Sequence, residues 1–128
     1  MKEFTHLGVP SNQPTDTLDL IDWKGGPIVV RLECAEFTSL CPVTGQPDFA
    51  TLTIEYIPDH YLAETKSVKL YLWRYRDQAV FNEVLIDQMA QNLFEQLKPR
   101  ALEVTGRFHP RGGIAVVATA HRGVPLHL

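Results

Sequence analysis

Two stretches near the start of the chain alternate between apolar residues and other residues, which is the pattern of half-buried β-strands. The alternation predicts one strand over residues 27–37 and a second over residues 49–57. The segment between them, EFTSLCPVTGQPD at residues 36–48, contains two prolines and a glycine and is predicted to form a loop. The apolar face predicted for the first strand consists of Ile28, Val30, Leu32 and Cys34.

Farther along, apolar residues recur at intervals of three and four, as one face of an α-helix requires. A helix is predicted from Glu64, although alternation at Val68, Leu70 and Leu72 leaves a strand possible there. A second helix is predicted within residues 79–99, where Pro99 stops the run. The predicted apolar stripes are Val68, Tyr71, Leu72 and Tyr75 in the first helix, and Phe81, Leu85, Met89, Leu93 and Leu97 in the second.

Two more alternating stretches, residues 101–108 and 114–120, are predicted to be strands joined by HPRGG as a hairpin. The order ββααββ indicates an α+β domain in which two helices cover one face of an antiparallel sheet. Residues 1–27 carry prolines and a Gly-Gly pair with little periodicity, which predicts an arm that lies on other parts of the protein. We therefore expect a single domain over residues 1–128, with an arm at 1–27 and a core at 28–128.

A sheet this small leaves two unpaired edges, and natural proteins usually cover or close such edges. A ring of subunits that join their sheets into a barrel would do both.

The composition fits an ordinary globular domain, with 45% hydrophobic and 21% charged residues. No run reaches the ~20 apolar residues of a membrane span, and the first residues lack the pattern of a secretion signal, so a cytoplasmic location is expected. The formal net charge of −3 argues against nucleic acid as the main partner. In a reducing compartment, Cys34 and Cys41 are expected to be free thiols.

Cys41 has two interpretations. Most free cysteines are buried and inert, but Cys41 lies in a predicted loop, where reactive groups concentrate. Asp48 lies across the same turn, and a thiol beside an acid suggests a nucleophile with a proton donor. A carboxylate alone would raise the pKa of the thiol, so a thiolate would need other stabilisation. Cys34 is expected to fill the core, because it falls on the apolar face of its strand.

No metal site is predicted, because the cysteines and histidines lack ligand spacing on any one element. Nucleotide fingerprints rich in glycine are also absent from the sequence. A helix from Glu64 would place Lys66, Lys69, Trp73 and Arg76 near one face. Such a face is usually only solvated, but with Thr65 and Ser67 hydroxyls near the helix start it also suits a ligand rich in phosphate. Glu83 could accept paired hydrogen bonds from a guanine-type edge.

Three segments carry a resemblance to a known family: EFTSLCPVTGQPDFA at 36–50, ETKSVKLYLWRYR at 64–76 and PRALEVTGRFHPRGGI at 99–114. Together they resemble the 7-cyano-7-deazaguanine reductases of the queuosine pathway, the QueF family, in their single-module form. The resemblance implies the tunnelling fold (T-fold), in which ββααββ subunits join their sheets into a barrel. It also implies a homo-oligomeric ring or stacked rings, with deazapurine substrates bound between subunits.

The resemblance further implies roles for particular residues. Cys41 would add to the nitrile carbon of the substrate to form a thioimide, and Asp48 would donate a proton. NADPH would be the reductant, with two molecules used per nitrile. The residues implied at the cofactor are Lys66, Ser67 and Lys69, and those implied at the substrate are Ala63, Glu64, Thr65, Asn82 and Glu83.

The sequence departs from the family pattern at Thr65, where serine is usual, and at Asn82, where the family has histidine before the glutamate. Asparagine cannot exchange a proton near neutral pH, so a catalytically weakened deazapurine-binding protein is one alternative. A second alternative is an amidine-forming enzyme on the same scaffold, which acts on modified tRNA. A third is a thiol peroxidase, because residues 38–41 fit a T-x-x-C fragment, although Cys34 occupies the place of its usual proline.

Overall fold

The protein is described by a computed structural model that covers residues 4–5 and 13–127. Six strands and two helices are present in these residues, and a short 3-10 turn over Arg74–Asp77 separates the helices. In chain order the elements are β1 (Leu20–Asp22), β2 (Val30–Leu40), β3 (Pro47–Ile57), β4 (Tyr61–Ala63), α1 (Thr65–Trp73), α2 (Asn82–Leu97), β5 (Ala101–Phe108) and β6 (Val117–Gly123). The predicted ββααββ order is confirmed by β2, β3, α1, α2, β5 and β6.

The main sheet is antiparallel and has the strand order β2-β3-β5-β6. Alternate residues of β3, namely Ala50, Leu52, Ile54 and Tyr56, are buried beneath the helices. Helix α2 packs on β5 and β6, and α1 packs on β2. Their apolar stripes supply most of the core, so the prediction of a half-buried antiparallel sheet with two covering helices is confirmed.

Strand β2 is displaced by three residues from the predicted strand. It begins at Val30 rather than at Pro27 and continues to Leu40, through residues assigned to the loop. A β-bulge lies between Cys34 and Phe37. It shifts the inward-facing positions from even-numbered residues before it to Phe37 and Ser39 after it. The prediction of a loop over 36–48 was therefore wrong at both ends. At the first end, one inserted residue ends the alternation without ending the strand. At the second end, β3 already begins at Pro47.

The last hairpin also differs from the prediction. Strand β6 begins at Val117, and Ile114, which was predicted to start it, is 71% exposed. The connection instead contains a separate tight turn closed by hydrogen bonds between Arg111 and Ile114. In the second helix, Phe81 was predicted to join the apolar stripe but is 59% exposed, because α2 begins only at Asn82.

The described part of the predicted arm, residues 13–27, packs on the core. Strand β1 pairs with β4, and the Leu18 N–H donates to Gln96 Oε1 at 2.8 Å. Residues 1–3 and 6–12 of the arm lie outside the described residues. None of the helices in the described part of the chain is long and apolar enough to cross a membrane.

Gly123 at the end of β6 provides a test of the fold. It has a φ of 88°, and a Cβ added there would collide with the backbone carbonyl oxygen of Arg100. Left-handed backbone costs an L-residue about 1–2 kcal/mol, so we expect Gly123→Ala to lower the free energy of unfolding by at least that amount. Gly26→Ala is the matched control, because a Cβ at Gly26 meets nothing within 4 Å. Urea unfolding of both variants measures the difference, and equal stabilities would contradict the prediction.

Candidate active site

The loop between β2 and β3 is short and closed. The Cys41 N–H donates to the carbonyl oxygen of Gln46 at 2.8 Å, and the Gly45 N–H donates back to the carbonyl oxygen of Cys41 at 2.9 Å. Gly45 has a φ of 71°, a conformation that favours glycine. Residues 41–46 therefore hold Cys41 in a defined place, with its side chain half-exposed.

Hydrogen bonds within the same loop lower the pKa of the Cys41 thiol. The largest contribution is the side chain of Thr44, followed by the backbone N–H groups of Thr44 and Val43. Partial burial opposes them, and the positive charge of Arg111 adds a smaller lowering. These contacts stabilise the thiolate of Cys41. The sequence alone did not identify the groups that provide this stabilisation.

Asp48, the predicted proton donor, is buried at the start of β3. It lies opposite Ser39 in the β2–β3 register, next to the pair Leu40–Pro47 that closes the loop. Its Oδ1 atom forms an ion pair with Arg111 Nε at 2.7 Å. The Ser39 hydroxyl is also buried and has no hydrogen-bond partner among the described residues. Strand pairing therefore places Asp48 and Cys41 at opposite ends of one closed loop.

The segment before α2 brings Asn82 and Glu83 to the same end of the sheet. Leu40 N–H donates to Gln78 O at 3.0 Å, and Val80 N–H donates to Leu40 O at 3.2 Å. Helix α2 starts two residues later. Asn82 Oδ1 is buried without a hydrogen-bond partner among the described residues, whereas Glu83 is exposed. A buried acceptor of this kind is what an N–H group of a ligand would satisfy.

Three predicted site residues instead build the start of α1. Glu64 caps the helix, accepting hydrogen bonds from Lys66 N and Ser67 N at 2.7 and 2.8 Å. The Ser67 hydroxyl donates to Glu64 O at 2.7 Å and accepts from Asp19 N at 2.9 Å. The Ala63 N–H donates to the Tyr56 hydroxyl at 3.0 Å. Ala63, Glu64 and Ser67 are buried and engaged within the protein, so their direct contacts with substrate or cofactor stay predictions.

A groove of about 750 Å³ lies between β2 and α1. Thr65 and Lys69, both predicted at the ligands, line it. A second depression of about 590 Å³ extends the groove to Leu40 and Pro47, the residues that flank the Cys41 loop. Other residues that line the first groove include Arg31, Cys34, Trp73 and Arg76. Lys66 is half-buried and does not line either depression.

The groove has the size of a ligand site and is lined by charges of both signs. Its volume lies within the roughly 300–1,000 Å³ typical of ligand sites. Lys69 and Arg76 offer cations for phosphate groups, whereas Arg31 forms ion pairs with Glu33 and Glu55 at 3.5 and 3.4 Å. The guanidinium of Arg76 lies over the Trp73 ring at 5.4 Å. Within the described residues, no group of three or more His, Cys, Asp and Glu side chains is arranged to hold a metal ion.

A family model described as QueF-like protein matches residues 47–125. The chain belongs to this family. The match covers the Asp48 end of the loop, both helices and the last hairpin, whereas β2 and Cys41 precede it.

Curated relatives support the same assignment. The NADPH-dependent 7-cyano-7-deazaguanine reductase of Anaeromyxobacter dehalogenans is 48% identical over 99 residues, which cover 77% of this chain and 81% of the relative. The enzyme of the same name from Porphyromonas gingivalis is 50% identical over 96 residues, or 75% of this chain. That match spans 62% of the Porphyromonas protein, which is therefore longer than this chain.

A solved structure of the archaeosine synthase QueF-Like in the apo form matches with a TM-score of 0.72 and 25% identity. The match covers 79% of this chain and all of that one. It confirms the T-fold subunit architecture.

Thr44 and Arg111 contact the predicted catalytic pair, and our reading of the sequence missed both. A signal for Thr44 existed, because a hydroxyl three residues after the cysteine in a glycine-containing turn can reach back to the thiol. Arg111 carried no local signal, because it is 63 residues from Asp48 in sequence and meets it only through strand pairing.

The role of Thr44 can be tested by alkylation. Thr44→Val removes the hydroxyl, so we expect the pKa of Cys41 to rise and its alkylation by iodoacetamide near neutral pH to slow several-fold. Thr44→Ser keeps the hydroxyl and is expected to behave as the wild type. Peptide mapping by mass spectrometry across a pH series follows Cys41 separately from Cys34, and an unmoved midpoint in Thr44→Val would contradict the assignment.

Proposed function

We propose that this protein is an NADPH-dependent nitrile reductase that converts 7-cyano-7-deazaguanine to 7-aminomethyl-7-deazaguanine in queuosine biosynthesis. The observation that carries the proposal is the half-exposed Cys41, whose thiol pKa is lowered, in a closed loop that ends at the buried carboxyl group of Asp48. The names of the similar bacterial enzymes supply the substrate and the reductant. The described fold agrees with a single domain over the whole chain.

In this proposal, Cys41 Sγ attacks the nitrile carbon and forms a C–S bond while the nitrile nitrogen takes a proton by way of Asp48. The product is a covalent thioimide, whose C=N carbon accepts hydride more readily than a nitrile. When bound, NADPH would supply the hydride for this carbon and the hydride for a second reduction. Between the two, the C–S bond would break, Cys41 would leave as its thiolate, and the resulting imine would be reduced to the amine. The protein residues hold the carbon and the proton donor in place during these steps.

Lys69, with Arg76 in the same groove, would bind the phosphate groups of the cofactor. Thr65 lies at the same site and keeps the hydroxyl of the usual serine. Lys66 is the third cofactor residue proposed, and Ser67 would act by fixing the start of α1. At the substrate, Asn82 Oδ1 would accept a hydrogen bond from a ring N–H group, and Glu83 would read the guanine-type edge.

A complete site would need more than one copy of this chain. β2 and β6 are the edge strands of the sheet, and Glu83 and Phe81 are exposed beside the Cys41 loop. We propose that subunits join their sheet edges into a barrel and stack as rings, with substrate bound between neighbours. The protein would work in the cytoplasm and bind a small molecule, with no direct contact to nucleic acid.

An amidine-forming reaction is the second candidate, because the matching solved structure is named as an archaeosine synthase. Formation of a thioimide would be common to both reactions. Lys69 favours the reductase, because a cation that lines the groove suits a cofactor rich in phosphate.

The central prediction concerns a covalent adduct. Incubation with the nitrile in the absence of NADPH is expected to raise the protein mass by one substrate and to produce thioimide absorbance. Cys41→Ala should abolish the adduct, whereas Cys34→Ala should retain it, because Cys34 is packed against the core. With NADPH present, oxidation of the cofactor should require the nitrile. The proposal fails if the wild type forms no adduct at saturating nitrile.

The same assay separates the rivals. An amidine-forming enzyme would form the adduct without nitrile-dependent NADPH oxidation, and a binding protein would bind the nitrile in calorimetry without turnover. Rapid peroxide consumption that depends on Cys41 would instead support the thiol peroxidase.

Asn82 allows a second prediction. Asn82→His introduces a side chain that can donate a proton, and general acid catalysis contributes typically about 10²–10⁴-fold. We expect kcat to increase, with a larger gain at pH 6 than at pH 8, because histidine is protonated mainly below its usual pKa of about 6.5. Asn82→Gln, which keeps the amide, is the control. No gain at either pH would show that Asn82 does not limit proton transfer.

A further inference from the structure

Arg111 lies at the tip of the hairpin between β5 and β6. The Arg111 N–H donates to Ile114 O at 2.9 Å, and the Ile114 N–H donates to Arg111 O at 3.1 Å. The two residues between them, Gly112 and Gly113, have φ values of 58° and 81°. Positive φ at both central positions is typical of the type I′ turn, and glycine adopts it without steric cost. The backbone of Arg111 is therefore held by a tight turn.

The side chain of Arg111 reaches from this turn to the start of β3. Its Nε atom lies 2.7 Å from Asp48 Oδ1, and its Nη2 atom donates to the carbonyl oxygen of Pro47 at 2.7 Å. A longer contact of 3.5 Å joins Nη1 to Gln46 Oε1. One planar guanidinium thus contacts three consecutive residues at the end of the Cys41 loop. Lysine has no equivalent geometry, because its donors share a single nitrogen.

We propose that Arg111 is a positioning residue for the acid–base step, which holds Asp48 Oδ1 so that Oδ2 exchanges the proton with the reacting groups. This inference rests on the proposed nitrile reduction, because it assigns Asp48 to that proton transfer. The pairing also compensates a carboxyl group that is only 8% exposed and would otherwise be costly to keep ionised.

The step balances without another reactant. The thiol proton of Cys41 passes to Asp48 Oδ2, and the thiolate forms a C–S bond with the nitrile carbon. One π pair of the C≡N bond moves to nitrogen, which takes the proton from Oδ2, so that Asp48 returns to its carboxylate form. Arg111 stays bound to Oδ1 throughout, and its charge contributes to the lowered pKa of the Cys41 thiol.

The test measures the rate of adduct formation in a single turnover with the nitrile and no NADPH. Misplacement of a reacting group by about 1 Å can cost 10²-fold, so we expect Arg111→Gln to slow adduct formation by about 10- to 100-fold. Nitrile affinity, measured in the unreactive Cys41→Ala background, should be unchanged by the same substitution. Arg100→Gln is the matched control, because Arg100 forms an exposed ion pair with Asp59 at 3.8 Å.

A double-mutant cycle distinguishes positioning from a general effect. If Arg111 acts through Asp48, Arg111→Gln should change the adduct rate by less than about threefold in an Asp48→Asn background, because residues that act as a unit are not additive. Equal factors in both backgrounds would overturn the proposal. A loss of nitrile affinity would also overturn it, because Arg111 would then be a binding residue.

Arg111→Lys keeps the positive charge of Arg111 but loses the geometry of its guanidinium. It also replaces Arg111→Gln as the test variant if Arg111→Gln does not fold. We expect the lysine variant to keep near wild-type alkylation of Cys41 by iodoacetamide, because the positive charge remains, and yet to form the nitrile adduct slowly. Full adduct formation by Arg111→Lys would overturn the positioning role. If the wild type itself forms no adduct, the proposed reaction fails; if the wild type reacts and Arg111→Gln reacts equally fast, only the role of Arg111 fails.

Discussion

The pairing of Leu40 with Pro47 is the constraint on which the candidate site depends. It closes the β2–β3 loop, so Cys41 and Asp48 are held at its two ends by the same ladder of backbone hydrogen bonds that forms the sheet. Hydrogen bonds between the carbonyl and N–H groups of Cys41, Gly45 and Gln46 then fix the loop internally. The thiol of Cys41 thus gains the positional precision of a strand, which the proposed catalysis by proximity would require.

Two other segments meet this loop, one through backbone hydrogen bonds and one through a side chain. The segment before α2 pairs with Leu40, and the tip of the last hairpin places Arg111 against Asp48. The buried cluster of Glu64, Ser67 and Asp19 fixes where α1 begins, and α1 forms one wall of the groove that leads to the loop. The site is therefore built from secondary-structure ends, while the buried sheet and helices behind them supply rigidity.

The sequence predicted most of the fold, and the elements that it missed have physical causes. The roles of the site residues stay predictions. Apart from Phe81, the stripes of α1 and α2 were predicted correctly, because helical periodicity is regular and their faces are buried. The extent of β2 was missed because a bulge changes which residues face inward, which no single alternation pattern shows. Ser67 stays a predicted cofactor residue, but the sequence did not show that its hydroxyl is buried between Glu64 and Asp19, a residue 48 positions away.

By itself the sequence determined the element order and the family, and it predicted Cys41 and Asp48 as the reacting pair, because periodicity, turn residues and motif spacing are local properties of a chain. The tertiary structure alone decided which groups surround that pair. The guanidinium of Arg111 reaches one end of the sheet, as do the amide oxygen of Asn82 and the hydroxyl of Ser39, which have no partner among residues 4–5 and 13–127. These groups come from separate parts of the chain. Strand register and helix packing, which are long-range interactions, place them there.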